Sequence, residues 1–244
     1  MAHWTDGIET ILAPTGLNSF IDKHWEGEPL VIQGRDPNLY NGLLSLDDLD
    51  DLIHSSGIQY PAFRLVNGGD EIPRNQYSLG PIPWGTGSVS GFINRDATRS
   101  LMQQGCTMIM EACQRVLPPV AELARAFEHA FHCPSPVNLY VTPPNAQGFK
   151  PHYDVQNVFV LQIHGTKKWK VYQSMVESPS EGQSLHCAVQ PSAALLHEVT
   201  LGPGDLLFLP RGYGHVAHTT DDLSVHLSVS LLPTTWADLF GKMV

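Results

Sequence analysis

Residues 152–172 read HYDVQNVFVLQIHGTKKWKVY, and residues 204–215 read GDLLFLPRGYGH. Both stretches combine an apolar, strand-like run with a turn marked by Gly or Pro. Further strand-like segments lie around them from residue 137 onward, namely VNLYVT, HEVTL and LSVHLSVSLL. This spacing leaves no room for helices between the strands, and it therefore predicts an antiparallel sandwich or barrel.

The first part of the chain has a different pattern. Residues 118–132 begin with two prolines and carry an apolar stripe at helical spacing, which predicts a helix. Residues 67–95 are rich in Gly, Pro and Asn and predict a long loop, which we expect to form a lid or a substrate-facing wall. We expect one mainly β domain over residues 1–244, with a helical and loop-rich part at 1–136 and a core barrel at 137–232.

The overall composition excludes several classes of protein. A formal net charge of −10 argues against a nucleic-acid binder, which would need a basic face. The sequence has no apolar run of about eighteen residues and no N-terminal signal pattern, so we expect no membrane span and a cytoplasmic location. The four cysteines form no C-x-x-C pair, which argues against a zinc cluster or a disulfide framework.

His152 and Asp154 precede the strongest predicted strand and are two residues apart. Side chains alternate along an extended segment, so both point the same way. An imidazole and a carboxylate on one side are two of the three ligands of the 2-His-1-carboxylate metal triad. His215, after the Pro/Gly turn, can supply the third, since a jelly roll brings early and late strands together. His218 is the alternative, but its odd spacing would turn it to the opposite side.

Two predicted strands have one polar and one apolar side. In residues 138–142 the polar side is Asn, Tyr and Thr, and in residues 224–230 it is Ser, His, Ser and Ser. The alternation establishes two distinct faces, but it does not establish which face points into the barrel. A metal centre with a polar cosubstrate favours the polar side as the inner one.

Several motifs together carry a resemblance to a known family. The segments HYDVQNVFVLQIHGTKKWKVY, GDLLFLPRGYGH, NLYVTPPNAQGFKP, HLSVS and, near the start, FIDKHWEGEPLVIQG resemble the JmjC ribosomal oxygenases of the cupin superfamily. The resemblance covers roughly residues 17–232 in order. It implies a double-stranded β-helix with flanking N-terminal helices. It also implies Fe(II), 2-oxoglutarate and O2 as cofactor and cosubstrates, with hydroxylation of residues in ribosomal proteins as the known theme.

The same resemblance implies the metal and cosubstrate residues. The iron ligands of the family correspond to His152, Asp154 and His215, and its 2-oxoglutarate lysine corresponds to Lys167. A cation is chemically suitable there, because 2-oxoglutarate chelates iron at one end and leaves its distal carboxylate in need of a positive partner. Beyond the metal ligands, the reaction needs no side-chain nucleophile or general base.

Further cosubstrate contacts are implied on the strands that flank the centre. The family's Asn and Tyr before the metal motif correspond to Asn138 and Tyr140, and its late hydroxyl corresponds to Ser230, with Ser228 as the alternative. Family members continue into a helical dimerisation region and a winged-helix-like domain, whereas this sequence ends at Val244. We therefore expect a stand-alone catalytic barrel, whose oligomeric state the sequence leaves open.

The substrate class and three alternatives remain open at this point. A barrel of this kind would hydroxylate an amino-acid side chain in a ribosomal protein or in a ribosomally made natural-product peptide. An N-methyl-lysine demethylase would use the same cofactors. A zinc or manganese cupin is disfavoured, because Asp154 stands where such a site usually has a second His and no Glu follows before Gly165. A JmjC-like binding module without turnover is disfavoured by the intact triad and Lys167.

Overall fold

A computed structural model of the protein describes residues 7–55, 57–180, 189–190, 192–236 and 240. Helices occur mostly in the first part of the chain, as the sequence predicts. They are α1 Gly7–Leu12, α2 Leu17–Lys23, α3 Leu46–Ser55, α4 Arg95–Gln103 and α5 Pro118–Phe131.

Strands occur throughout and dominate from residue 137 onward. In the first part they are β1 Leu30–Ile32, β2 Phe63–Asn67, β3 Asp70–Glu71, β4 Ile82–Trp84, β5 Gly87–Val89 and β6 Thr107–Met110. In the second part they are β7 Val137–Thr142, β8 His152–Tyr153, β9 Asn157–His164, β10 Lys167–Ser174, β11 Leu195–Leu201, β12 Leu206–Leu209, β13 Tyr213–Thr219 and β14 Ser224–Leu231.

The strands form two main sheets. The larger has eight strands in the order β1-β12-β9-β14-β7-β6-β2-β3, and the smaller has four in the order β11-β10-β13-β8. The pairings in both sheets are antiparallel, and neighbours such as β12 and β9 are far from consecutive along the chain. The two sheets face each other as a double-stranded β-helix. The predicted mainly β fold with flanking N-terminal helices is therefore correct.

Strands from the first part of the chain extend the larger sheet at both ends. β1 pairs with β12, while β6 pairs with β7 and is followed outward by β2 and β3. The sheet is thus built from both parts of the sequence, and it brings side chains of β2 and β6 to the edge of the barrel interior. The division of a single domain into residues 1–136 and 137–232 stays a prediction.

The central strands β9, β12 and β14 of the larger sheet are buried on both faces. Its outer face carries Phe159 and Phe208, which pack against Phe20 of α2 at ring-centroid distances of 5.2 and 4.7 Å. Its inner face carries Val160 and Leu207, which pack toward the smaller sheet. Because alternate residues of β9 serve two different cores, the strand is apolar from Val158 to Leu161 and buried along nearly its whole length.

The two amphipathic strands have their polar sides inside the barrel. On β7 and β14, Leu139, Val141, Val225 and Leu227 belong to the core under the helices. Tyr140 and His226, on the opposite side of the same strands, line the barrel cavity. The preferred orientation of the polar side is therefore confirmed.

Residues 67–95 contain more regular structure than the sequence predicts. They include β3, a 3-10 turn at Arg74–Gln76 and the hairpin of β4 and β5. The start of the segment is tied to the chain just before the metal motif, because Gly69 N–H donates to the carbonyl of Gly148 at 2.7 Å. All of 67–95 is described, and no residue of it lines the barrel cavity. Its role as a substrate-facing wall stays a prediction.

Two further expectations concern cysteines and membranes. Cys106, Cys113 and Cys133 are buried free thiols, and Cys187 lies outside the described residues. Among the helices of the described ranges, none combines the length and the apolar character needed to cross a bilayer.

Candidate functional site

Three side chains that could bind one metal ion meet at one end of the smaller sheet. His152 on β8 is directly opposite His215 on β13 in the strand register, and their ring centroids are 4.4 Å apart. Asp154 follows β8. Its Oδ1 lies 3.9 Å from His152 Nε2, and its Oδ2 lies 3.6 Å from His215 Nε2. One ligand atom from each residue lies within 4.8 Å of the others. This donor set is that of the facial triad of non-haem iron proteins.

Backbone carbonyls orient both imidazoles. His152 Nδ1 lies 2.7 Å from the carbonyl oxygen of Lys150, and His215 Nδ1 lies 3.2 Å from that of Tyr213. A carbonyl can only accept, so each Nδ1 carries the hydrogen and donates it. In the neutral form of each ring, Nε2 then keeps its lone pair on the side of Asp154, which is the arrangement that metal-binding histidines require.

His215 is kept in the neutral form that binds metals. Burial lowers its pKa to about 4, and the nearby His152 acts in the same direction. Asp154 and the hydrogen bond to the Tyr213 carbonyl oppose this effect only in part. An unprotonated imidazole is therefore available at neutral pH without displacement of a proton.

His218 occupies the opposite face of β13. It pairs with Lys168 in the strand register, and Lys168 forms an ion pair with Glu198 on the outer side of the smaller sheet. The group of potential metal ligands contains His215 and does not contain His218. The odd spacing along an extended strand explains this separation.

A cavity of about 260 Å³ opens beside the three ligand residues. Lys167 and Trp169 of β10 line it from the smaller sheet, and Tyr140, His226 and Ser228 line it from the larger one. The cavity is large enough for a small organic acid. Sequence motifs that are far apart in the chain thus share one internal space with the potential metal site.

Lys167 is a buried ammonium group. The residue is 4% exposed, and Nζ donates to Thr142 Oγ1 at 3.1 Å. Burial lowers the pKa of Lys167 to about 7, and no acidic side chain of the described residues counteracts that effect. A buried cation without a carboxylate partner is costly, so this position suits an anionic ligand that would complete the pair.

The predicted cosubstrate residues differ in their position relative to the cavity. Lys167 and Tyr140 line it, whereas Asn138 and Ser230 do not. Asn138 instead accepts a hydrogen bond from Ala112 N–H at 3.0 Å. Ser228, the alternative hydroxyl, does line the cavity. Direct cosubstrate contacts by Asn138, Tyr140 and Ser230 stay predictions.

Several cavity residues were not singled out from the sequence. Arg64 of β2 and Thr107 of β6 come from the first part of the chain, where no local pattern marks them. Arg64 donates from Nε to Glu111 at 2.8 Å, so its charge is paired with a carboxylate. The sequence does indicate that His226 and Trp169 face the cavity. His226 is two residues from Ser228 and Trp169 is two residues from Lys167, so each pair lies on one side of its strand.

A comparison with solved structures identifies the same fold. YcfD, a ribosomal oxygenase from Escherichia coli solved with cobalt and 2-oxoglutarate, superposes with a TM-score of 0.59 at 20% sequence identity. The superposition covers 92% of this chain and 53% of that chain. At this level of identity, the similarity supports the fold alone.

Curated proteins are similar at higher identity. The bifunctional lysine-specific demethylase and histidyl-hydroxylase NO66 of Aedes aegypti is 34% identical over 238 residues, which are 94% of this chain and 35% of that protein. Ribosomal oxygenase 1 of Homo sapiens is 34% identical over 247 residues, which are 97% of this chain and 36% of that protein. The chain therefore spans about a third of the length of these curated relatives.

A family model agrees with these similarities. The model of the JmjC domain matches residues 110–239, which is more than half of the chain and contains all three potential metal ligands. The match begins at the end of β6 and extends past β14. The chain belongs to the JmjC domain family.

Proposed function

We propose that the chain is an Fe(II)- and 2-oxoglutarate-dependent oxygenase that hydroxylates an amino-acid side chain in a protein or peptide. One observation carries the proposal: the His152, Asp154 and His215 group and the buried cation of Lys167 share one cavity. A facial triad leaves coordination positions for a chelating acid and for O2. An unpaired ammonium in the same cavity suits the far end of a dicarboxylate.

The residues fit the proposed cofactors chemically. Two neutral imidazoles and one carboxylate are the ligands that Fe(II) oxygenases use, and both imidazoles are already held in the metal-binding tautomer. The relative YcfD was solved with cobalt and 2-oxoglutarate, which is the same pairing of a divalent metal with this acid. Independently of the metal ligands, the buried Lys167 side chain has no carboxylate partner among the described residues, which favours binding of an anion.

Bound iron and 2-oxoglutarate together would supply the oxidising power that inserts oxygen from O2 into a C–H bond, with succinate and CO2 as co-products. The protein itself holds the ligands, the cosubstrate and the substrate in position. His152, Asp154 and His215 would bind the metal, and Lys167 would hold the distal carboxylate. Val158, Val160 and Leu209 line the cavity with apolar surface, which limits access of water to it.

A protein or peptide is the substrate class that the relatives support. One relative is a histidyl-hydroxylase and another is a ribosomal oxygenase. We propose a ribosomal protein or a ribosomally made peptide as substrate of this chain. Nucleic acid is not a proposed substrate, because the net charge of −10 disfavours a polyanion. A cytoplasmic location is part of the proposal and accords with the three buried free thiols.

Demethylation of N-methyl-lysine is the second candidate function. It is favoured by one specific observation, since the NO66 relative of Aedes aegypti is a lysine-specific demethylase as well as a histidyl-hydroxylase. The two reactions need the same metal and cosubstrate, and they differ only in the C–H bond presented. A non-oxygenase metal-binding cupin is less well supported, because the metal-ligand group of the described residues has no fourth member.

Anaerobic reconstitution with Fe(II) and 2-oxoglutarate, followed by O2 and mass spectrometry of candidate peptides, tests the proposal. Hydroxylation adds about 16 Da to the peptide with one succinate formed per product, whereas demethylation removes about 14 Da. The Asp154→Ala protein, reconstituted identically, is the control and should form neither product. If the Fe(II)-loaded wild-type protein does not consume 2-oxoglutarate with any of the peptides, the oxygenase assignment is contradicted.

A further inference from the structure

His226 is a buried histidine of the cavity wall that the metal site does not use. It lies on β14, is 3% exposed and is paired with Tyr140 of β7 in the strand register. Two residues further back on β14, Ser224 pairs with Thr142, which accepts the hydrogen bond of Lys167. His226 therefore lies two strand positions from the pair that includes the partner of Lys167.

Two aromatic rings hold the His226 imidazole in place. The Tyr140 ring stacks on it with centroids 4.7 Å apart and an interplanar angle of 2°. The Trp169 ring meets it edge-on at 5.8 Å and 81°. Trp169 belongs to the smaller sheet, so the imidazole is held between side chains of both sheets. Such packing leaves little rotational freedom and presents a rigid polar group to the cavity.

One nitrogen of this ring has no partner. His226 Nδ1 is buried and makes no hydrogen bond with any described residue. A buried polar atom left without a partner costs roughly 1–3 kcal/mol, so most such atoms in folded proteins are satisfied by protein, water or ligand. The unpartnered nitrogen on a cavity wall thus points to a ligand that supplies the missing bond.

Burial and the nearby Lys167 both favour the neutral form of this imidazole. Burial and then the nearby Lys167 ammonium lower the pKa of His226 well below its ordinary value, so the ring is neutral at physiological pH. A neutral imidazole carries one N–H donor. Lys167 and His226 therefore offer an ammonium and a neutral N–H donor in the same part of the cavity.

We propose that His226 is a cosubstrate-binding residue, which donates a hydrogen bond to the distal carboxylate that Lys167 holds by charge. The inference rests on the proposed function, because it assigns a residue to the cosubstrate of that reaction. The Lys167 ammonium and the His226 N–H would each donate a hydrogen bond to one oxygen of the same carboxylate. The consequence is selectivity for an acid that carries a distal carboxylate over a keto acid that lacks one.

The test measures ligand binding to Zn(II)-loaded protein, in which no turnover occurs. Calorimetry compares 2-oxoglutarate with 2-oxobutyrate, which has the same keto-acid end but no distal carboxylate. The variant His226→Phe keeps a flat ring against Tyr140 and removes both nitrogens. His218→Phe is the matched control, since His218 lies on the outer face of the smaller sheet. Zn(II) affinity and thermal unfolding of every variant are measured in parallel.

We expect His226→Phe to weaken 2-oxoglutarate binding at least about tenfold, the usual scale for loss of a hydrogen bond to a charged group. Binding of 2-oxobutyrate and Zn(II) should change by less than about twofold, and His218→Phe should match wild type. Equal losses for both keto acids, or no loss for either, would overturn the role of His226. A wild-type protein that does not prefer 2-oxoglutarate would instead contradict the proposed function, so the two failures can be told apart.

A second measurement covers the case in which His226→Phe does not fold. Nitrogen-15 NMR of histidine-labelled, Zn(II)-loaded wild-type protein reports the hydrogen-bonded state of each imidazole N–H directly. Addition of 2-oxoglutarate should shift the His226 N–H proton downfield, and 2-oxobutyrate should not. Gln162, the neighbour of His226 on β9, also has an unpartnered side-chain oxygen. A downfield His226 N–H signal that is identical with and without 2-oxoglutarate would assign the bond to Gln162 and refute the proposal.

Discussion

His152 and His215 are opposite one another across the β8–β13 pair, with ring centroids 4.4 Å apart, although 63 positions separate them in the sequence. The pairing places both Nε2 atoms near the carboxylate of Asp154. The potential metal site is therefore a product of strand register. Any change that slips β8 against β13 by one residue would turn one imidazole away from the other.

Replacement of His215 should abolish tight metal binding without unfolding the barrel. His215→Ala removes one of three ligands, and we expect Mn(II) or Co(II) affinity to fall at least about 100-fold, since loss of only a supporting residue already costs about 10–100-fold. His218→Ala, on the same strand but the opposite face, should bind metal as wild type does. Metal titration followed by calorimetry checks both. Equal affinities of the two variants would rule out His215 as a ligand.

Replacement of Lys167 should separate cosubstrate binding from metal binding. Lys167→Ala removes the buried cation, and we expect the 2-oxoglutarate requirement to rise about 100-fold, because a charge-assisted bond in a buried site contributes about 1.5–3 kcal/mol. Metal affinity should stay at the wild-type value. Lys168→Ala is the control, since Lys168 faces outward and pairs with Glu198. Unchanged kinetics in Lys167→Ala would refute the assignment.

Cosubstrate binding should weaken as the pH rises above neutral. Burial lowers the pKa of Lys167 to about 7, so in the free protein the ammonium form is lost as pH rises through that value. A bound carboxylate favours the protonated form, and the dissociation constant should therefore rise about tenfold per pH unit above pH 7 and stay flat below it. Calorimetry at pH 8 in buffers of different ionisation enthalpy should detect uptake of nearly one proton.

Lys167→Arg provides the control for this pH dependence. A guanidinium remains charged throughout the accessible range, so its binding of 2-oxoglutarate should be independent of pH between 7 and 9. Binding by wild type without proton uptake at pH 8 would show that the Lys167 ammonium keeps an ordinary pKa in the cavity.

The turn between β9 and β10 should tolerate no side chain. Gly165 has φ +61°, and a Cβ there would collide with the backbone carbonyl of Leu223. Gly68 has a similar φ of +57° but nothing within 4 Å of a Cβ. We expect Gly68→Ala to cost about 1 kcal/mol from the backbone conformation alone, and Gly165→Ala to cost at least about 1 kcal/mol more. Urea unfolding of both variants measures the difference, and equal costs would contradict the predicted clash.

The sequence by itself determined the class of the fold and the identity of the central motif. Closely spaced strand patterns without intervening helices predict an antiparallel barrel, and β7–β14 form it. The two-residue spacing of His152 and Asp154 places them on one side of an extended segment, and the odd spacing of His218 from His215 places it on the other. Both results follow from the alternation of side-chain direction along a single strand, which does not depend on contacts with distant segments.

Only the tertiary structure decided how far along the barrel each inward residue lies. The alternation of side chains along a strand shows that Ser228, Ser230 and His226 share one face of β14. Their positions along the barrel depend on the register of β14 against β7. That register places His226 beside Tyr140 and leaves Ser230 outside the cavity lining. Arg64 and Thr107 enter the cavity because β2 and β6 extend the larger sheet. Strand pairing of this kind depends on packing between distant segments, which no local pattern in the sequence encodes.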